Sequence, residues 1–246
     1  MQEKTTKTRL DIEDFDVHSV ERSTRFYYES RASDLQTLYE GLESEQDRIL
    51  PYLGEDRQFA RYIREEQILF ERIIADTVKD GDNVCDVGCG IGKWAVLLSH
   101  YGANVVAIDY SRSMLQYCRD NAHLKGLNNV LQVISDCTCL PFSDESFEAA
   151  VSRLTISHIP QREKAFQEIF RIIKPGGWLL LAEHKQYGNV KKEVAQKRTM
   201  ADGTEFLVYE YRFDLDELVE IVENDFGIVE EAYEHYRLVC LARKWG

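Results

Sequence analysis

From Val84 to Ala95 the chain reads Val-Cys-Asp-Val-Gly-Cys-Gly-Ile-Gly-Lys-Trp-Ala: an apolar run tips into a carboxylate and three alternating glycines before helix-forming residues resume. Glycines at 88, 90 and 92 let the backbone turn tightly and come close to a ligand, as nucleotide-holding βα turns do. The carboxylate discriminates between ligands. In a partly desolvated loop Asp86 would repel a pyrophosphate but favour a cationic ligand that carries no phosphate. Lys93 occupies the third small-residue position of a dinucleotide fingerprint, which weakens a nicotinamide-dinucleotide reading. Two more acids tip apolar runs. Asn104 to Asp109 places a carboxylate about twenty residues past the loop, where a second-strand acid accepts ribose hydroxyls, a feature common to both ligand types. Val130 to Asp136 ends in the third, followed by Cys137 and by Leu140-Pro-Phe.

These motifs, together with Asp109-x-Ser-x-x-Met-Leu115, Ser-Arg153 with His158-x-Pro160, and Ile172-Ile-Lys-Pro-Gly-Gly177, resemble class I S-adenosylmethionine-dependent methyltransferases. The resemblance runs from about residue 60 to 184, each motif in its expected order. It implies that Asp86 and the backbone of Gly88 and Gly90 hold the methionine end of S-adenosyl-L-methionine, and that Asp109 holds the ribose. Tyr110 and Met114 would meet the adenine faces, Asp136 would accept from the adenine amino group, and the Cys137 amide would meet a ring nitrogen. Arg153 joins these cofactor-binding candidates, as does Arg64, upstream of the loop, where a cation could reach the cofactor carboxylate. Plainer readings stand beside some of them. Asp86 and Asp109 also suit helix N-termini, where an acid is worth about 0.3 to 1 kcal/mol. Met114 shares helical spacing with Leu115 and Cys118, as a core residue would.

Methyl transfer from a sulfonium is an in-line displacement, served mainly by positioning and water exclusion, with a base where the acceptor is a hydroxyl or ammonium. His158, beyond the fourth strand, and Glu183 and His184, at the end of the fifth, are the catalytic candidates. Glu183 and His184 alternate along a strand, so at most one points into the site. His158 equally suits a capping or core histidine ahead of Pro160, and Tyr27, Tyr28 and Tyr39 suit either an acceptor pocket or helix packing.

Those residues need a scaffold. Strands are expected near 83–87, 104–108, 129–134, 147–152 and 177–183, with helices near 91–100, 111–123 and 161–173. Such alternation calls for a parallel sheet with helices on both faces and ligands at the strands' carboxyl ends. The expected fold is α/β: a Rossmann-like, doubly wound, seven-stranded, mostly parallel sheet whose last strand is antiparallel, the closing pair (227–234 and 236–243) being what the resemblance implies. Residues 1–56 read as an N-terminal helical cap and 57–246 as the methyltransferase domain, with a lid insertion about 185–211 that contains the hairpin signal Asp202-Gly203.

Composition sets the remaining bounds. The chain has 246 residues, 44% hydrophobic and 30% charged, enough for one substantial core. A formal net charge of −13 disfavours long-range attraction to nucleic acid. Lys185, Lys191, Lys192, Lys197 and Arg198 cluster against that sign, either as a solvated face or as a lid that recognises an anionic acceptor or a tRNA phosphate run. The six cysteines lack paired C-x-x-C units and read as reduced thiols with no metal site. No apolar run reaches membrane-spanning length and the start is polar, so a cytoplasmic enzyme is expected. The expected activity is methyl transfer to an oxygen or nitrogen of a small molecule; the alternative is a tRNA- or protein-directed methyltransferase docking through the basic lid.

Overall fold

The computed structural model describes residues 8–36, 57–186, 188, 191–200, 202–234 and 237–246. Strand β1 (Thr8–Asp11) leads into helix α1 (Val17–Ser30), and helix α2 (Arg57–Thr77) precedes the first strand of the main sheet. Then follow β2 (Asn83–Val87), α3 (Lys93–His100), β3 (Asn104–Asp109), α4 (Arg112–Leu124), β4 (Val130–Ile134) and β5 (Phe147–Arg153). A 3-10 turn (Ile156–His158), α5 (Arg162–Ile172) and β6 (Ile173–His184) lead to a hairpin of β7 (Glu193–Thr199) and β8 (Glu205–Tyr211). Helix α6 (Leu215–Asp225), β9 (Gly227–Glu234) and β10 (Arg237–Lys244) close the fold.

The main sheet has seven strands in the order β4-β3-β2-β5-β6-β10-β9. Neighbours from β4 to β6 run parallel, and β10 lies antiparallel between β6 and β9. Strand β2 is buried from Val84 through Val87, as a parallel strand covered on both faces must be. The two-residue period splits its side chains. Cys85 and Val87 join one core with Ala150, Leu179, Leu181, Phe166 and Phe170, while Val84 joins another with Val105, Ala107, Val151, Phe70 and Trp94. Helices α5 and α6 fill the first core, and α2, α3 and α4 the second. The expected elements all form, most within two residues of their anticipated ends; β6 begins earlier because the chain re-enters the sheet at Ile173, straight after α5.

The hairpin forms where Asp202-Gly203 predicts it, with Gly203 at φ 85° and the Asp202 Oδ1 accepting from the Thr204 amide at 2.9 Å. The cap differs from expectation. Thr8–Asp11 is a strand that pairs antiparallel with β7, giving a small sheet of order β1-β7-β8. A lone hairpin leaves two open edges, and this one has both covered. β1 covers one; along the other, the Ser23 and Thr24 hydroxyls of α1 accept from the Leu207 and Tyr209 amides of β8, each at 2.8 Å. The remainder of the expected cap, residues 1–7 and 37–56 with Tyr39 among them, lies outside the described residues.

Candidate functional site

At the carboxyl end of β2, Gly88, Gly90 and Gly92 all take positive φ, at 71°, 53° and 82°. A Cβ at Gly88 would overlap the Thr155 side chain and one at Gly92 the Cys118 sulfur, whereas one at Gly90 would meet open space. The loop is bound to the next strand: the Gly88 and Cys89 amides donate to the Ile108 carbonyl, and the Gly90 amide donates to Asp109 Oδ2 at 2.9 Å. Asp109 Oδ1 accepts from the Ser111 amide, also at 2.9 Å. Burial pushes the Asp109 carboxyl up to about 6 against the opposing pull of those amides.

Asp86 lies just beneath this loop and is almost wholly buried, at 1% exposure. Its Oδ2 has no hydrogen-bond partner. Burial pushes the carboxyl up to about 7, opposed by the Ala95 amide. An unpaired buried carboxylate is costly, and a cation above the open side of Gly90 would relieve that cost. The residues present therefore fit a positively charged ligand.

The next stretch of the same sheet edge carries Tyr110, Met114, Asp136 and Cys137. Asp136 Oδ1 accepts from the Thr138 amide and hydroxyl at 2.9 and 2.8 Å. Its Oδ2 is held by Arg25, reaching down from α1, and these contacts keep the carboxyl below its usual range. Arg25 also stands 5.5 Å over the Tyr110 ring. Met114 is buried with Ile91 and Ala32, and Cys137 faces the core, where burial raises its thiol. Helix α1 thus roofs this edge, fastened further by Glu29 accepting from the Ser113 amide at 3.1 Å. Sequence reasoning missed Arg25 and Glu29, polar residues that flank the aromatic run Phe26-Tyr27-Tyr28.

The two arginine candidates lie on β5 and α2. Arg153 is nearly buried and grips Glu66 of α2 through Nε and Nη2 at 2.9 and 2.8 Å, its guanidinium 5.6 Å from the Trp94 ring. Arg64 sits two residues before Glu66, and because i and i+2 lie on different helix faces, its side chain is exposed while that of Glu66 is buried.

At the ends of β5 and β6 the chain is tightly organised. Leu154 takes a left-handed φ of 55°, a conformation costing on the order of 1 to 3 kcal/mol, while its amide donates to the Ala182 carbonyl at 2.7 Å. Glu183 does not face open space, as the catalytic expectation required. It is fully buried, its two oxygens accepting from the Ile156 and Ser157 amides at 3.0 Å and from the Ser157 hydroxyl at 2.5 Å. Burial pushes its carboxyl up to about 7. The turn so held presents His158, whose Nδ1 lies 2.7 Å from the Tyr209 carbonyl. The His158 ring is 5.2 Å from Tyr28 and 5.3 Å from His184, so three polar rings meet where β5, β6 and α1 converge.

The basic cluster is largely neutralised. Lys191 pairs with Asp11, Lys192 with Asp214 and Glu217 at 2.6 and 2.9 Å, and Lys197 with Glu205 at 2.7 Å. Each cation meets an acid of its own neighbourhood, which the linear sequence concealed. Three of the five expected lid cations are thus ion-paired at the surface. Among the described residues no helix is long and apolar enough to cross a membrane, and no three His, Cys, Asp or Glu side chains group to hold a metal ion.

Residues 85–181 match a family model described as a methyltransferase domain. Methyltransferase GfsG of Streptomyces halstedii is 35% identical over 117 residues, covering 47% of this chain and 41% of its own length. Phosphoethanolamine N-methyltransferase 2 of Caenorhabditis elegans is 36% identical over 125 residues, 48% of this chain and 29% of its own. The chain thus spans less than half the length of these relatives. A solved structure described as a DhpI–SAH complex superposes with a TM-score of 0.67 at 22% identity, over 94% of this chain and 99% of that one, a likeness of fold.

Proposed function

Because this chain carries a class I S-adenosylmethionine-dependent methyltransferase domain, we propose that it transfers a methyl group from S-adenosyl-L-methionine to an oxygen or nitrogen of a small-molecule acceptor. The buried Asp86 carboxylate with its unpartnered Oδ2 carries the reading: it asks for a cation, and the cofactor's methionine end supplies one. The cofactor contributes an electrophilic methyl on a sulfonium. Gly88 and Gly90 bring backbone close to it, Asp109 keeps lone pairs for the ribose beyond its two amide bonds, and Asp136 with Tyr110 offers a polar and a flat surface to the base.

On the acceptor side His158 takes the proton. Its Nδ1 faces a carbonyl, which only accepts, so the neutral ring carries its hydrogen there and leaves Nε2 as the basic atom. Glu183 is a positioning residue that holds the 156–158 turn, and His184 completes the ring cluster. Residues 185–211, with the β7–β8 hairpin, act as the lid, which helix α1 extends, and Arg153 braces β5 against α2. Relatives named for phosphoethanolamine and demethylmenaquinone support a small acceptor. The pairing of the surface lysines with acids counts against a tRNA- or protein-docking lid, and a cytoplasmic location is part of the proposal.

Calorimetry with S-adenosylhomocysteine and with NAD tests the cofactor half. Saturable binding of the first alone is expected; saturable NAD binding with no response to S-adenosylhomocysteine would sink the reading.

A further inference from the structure

Resting on the methyl-transfer reading, we infer that the acceptor docks through an oxyanion, a carboxylate or phosphate group, held by Arg198, Arg212 and Gln196 on the inner face of the small sheet. The pairing of β7 with β8 sets Gln196 opposite Val208, Arg198 opposite Phe206 and Val194 opposite Glu210, so these side chains share one face. The other face, with Ala195, Tyr209 and Tyr211, packs into the main core. Three polar residues of the inner group are deeply buried: Gln196 at 2%, Glu210 at 3% and Arg212 at 7% exposure.

Glu210 cannot satisfy them all. Its Oε1 accepts from Arg212 Nε and Nη2 at 2.7 and 2.5 Å, and its Oε2 from Gln196 Nε2 at 2.6 Å, with Arg198 Nη2 at 3.8 Å. Two guanidiniums against one carboxylate leave a net positive charge. Arg212 Nη1, Arg198 Nε and Gln196 Oε1 are buried without partners. Unmade hydrogen bonds and an uncompensated buried charge are each costly, and one anionic oxygen group would relieve both. Gln196 Oε1 remains to accept from a hydroxyl beside that group. The cluster also adjoins the reacting centre, since Arg198 and Glu210 act electrostatically on the Tyr28 phenol, whose ring neighbours His158.

The experiment titrates the full chain, saturated with S-adenosylhomocysteine, with inorganic phosphate, acetate and the neutral isostere acetamide. At least one anion should bind saturably and acetamide should not, the tighter anion identifying the acceptor's group as phosphate or carboxylate. Arg198→Gln should weaken that anion at least tenfold, about 1.4 kcal/mol, while S-adenosylhomocysteine affinity stays within twofold. Arg212→Gln alone strands Glu210, so Arg212→Gln with Glu210→Gln serves as the second variant and should lose the anion likewise. If S-adenosylhomocysteine binds and neither anion exceeds acetamide, or if both variants bind the anion as the parent does, the oxyanion site is wrong. If the parent binds no S-adenosylhomocysteine, the methyl-transfer reading falls first and this inference with it.

Discussion

The glycine loop and the small sheet each bury charge that the protein itself leaves unsatisfied, but with opposite sign and by different means. Beneath the loop a single carboxylate, Asp86, is stranded by a contiguous stretch of chain. On the small sheet a surplus guanidinium is stranded by residues drawn from β7, β8 and the position just after. Tyr28, His158 and His184 cluster beside the small sheet, where His158 meets the Tyr209 carbonyl. The comparison teaches that a buried defect persists where a ligand supplies the missing partner, and that its sign states what that partner carries. On the proposed reading, a cationic cofactor enters from one side and an anionic acceptor from the other.

The loop is the more brittle of the two. Gly88→Val should have the largest effect, because a positive φ and the Thr155 side chain both forbid the added atoms. Thermal unfolding should show a loss of at least about 2 kcal/mol and calorimetry no S-adenosylhomocysteine binding. A variant that binds like the parent would mean that the loop geometry is not needed.

Asp86→Asn probes the negative defect more gently. Losing a charged hydrogen-bond partner should weaken S-adenosylhomocysteine about tenfold to a hundredfold, since such bonds contribute roughly 1.5 to 3 kcal/mol. The sign with pH runs the other way from an ordinary salt-bridged acid. Asp86 and Glu183 are raised to about 7 and Asp109 to about 6, so their contribution to apo stability is present below the ordinary carboxylate range and is lost as pH rises through those values. Cofactor affinity should rise over the same interval as Asp86 ionises. Denaturant titrations from acid to neutral pH check both, and an apo stability that climbs toward pH 7 would contradict the burial of these groups.

Arg25→Ala should act more weakly, because Arg25 and Asp136 are both about a third or more exposed. Stopped-flow should find S-adenosylhomocysteine leaving several-fold faster as the α1 roof loosens, with unfolding shifted by under about 1 kcal/mol. An unchanged release rate would mean that α1 does not gate that edge. The smallest effect is expected from Lys191→Gln, Lys192→Gln and Lys197→Gln together. Anion and cofactor affinities should stay within twofold of the parent, and a collapse of anion binding would return the lysines to the acceptor site.

What could be read from the sequence was what lies close together along it. The loop, the strands with their acidic tips and the hairpin turn follow from local pattern, since period, glycine placement and strand-end carboxylates are written in consecutive residues. What local pattern leaves unread is partners brought in from afar. Glu183 sits at the expected strand end, yet backbone amides of Ile156 and Ser157 capture it, and amides carry no residue signature. Arg153 has the right motif neighbours, and Glu66 of α2, 87 positions away, takes its guanidinium. The four polar and apolar residues of β1 are too few to announce a strand, and Arg212 lay outside the basic cluster that drew attention to the lid.

Asp11 of β1 and Lys191, at the entrance to β7, are separated by 180 residues. Loop-closure entropy grows only with the logarithm of such a distance, but the time to bridge it during synthesis does not. At roughly 5 to 20 residues per second, β1 waits on the order of ten to forty seconds for its partner strand to be made. Contacts of such long sequence separation also form slowly in a complete chain. The small sheet is therefore late to assemble, and refolding kinetics should recover it in a late phase, after the glycine loop and its neighbouring strands have settled.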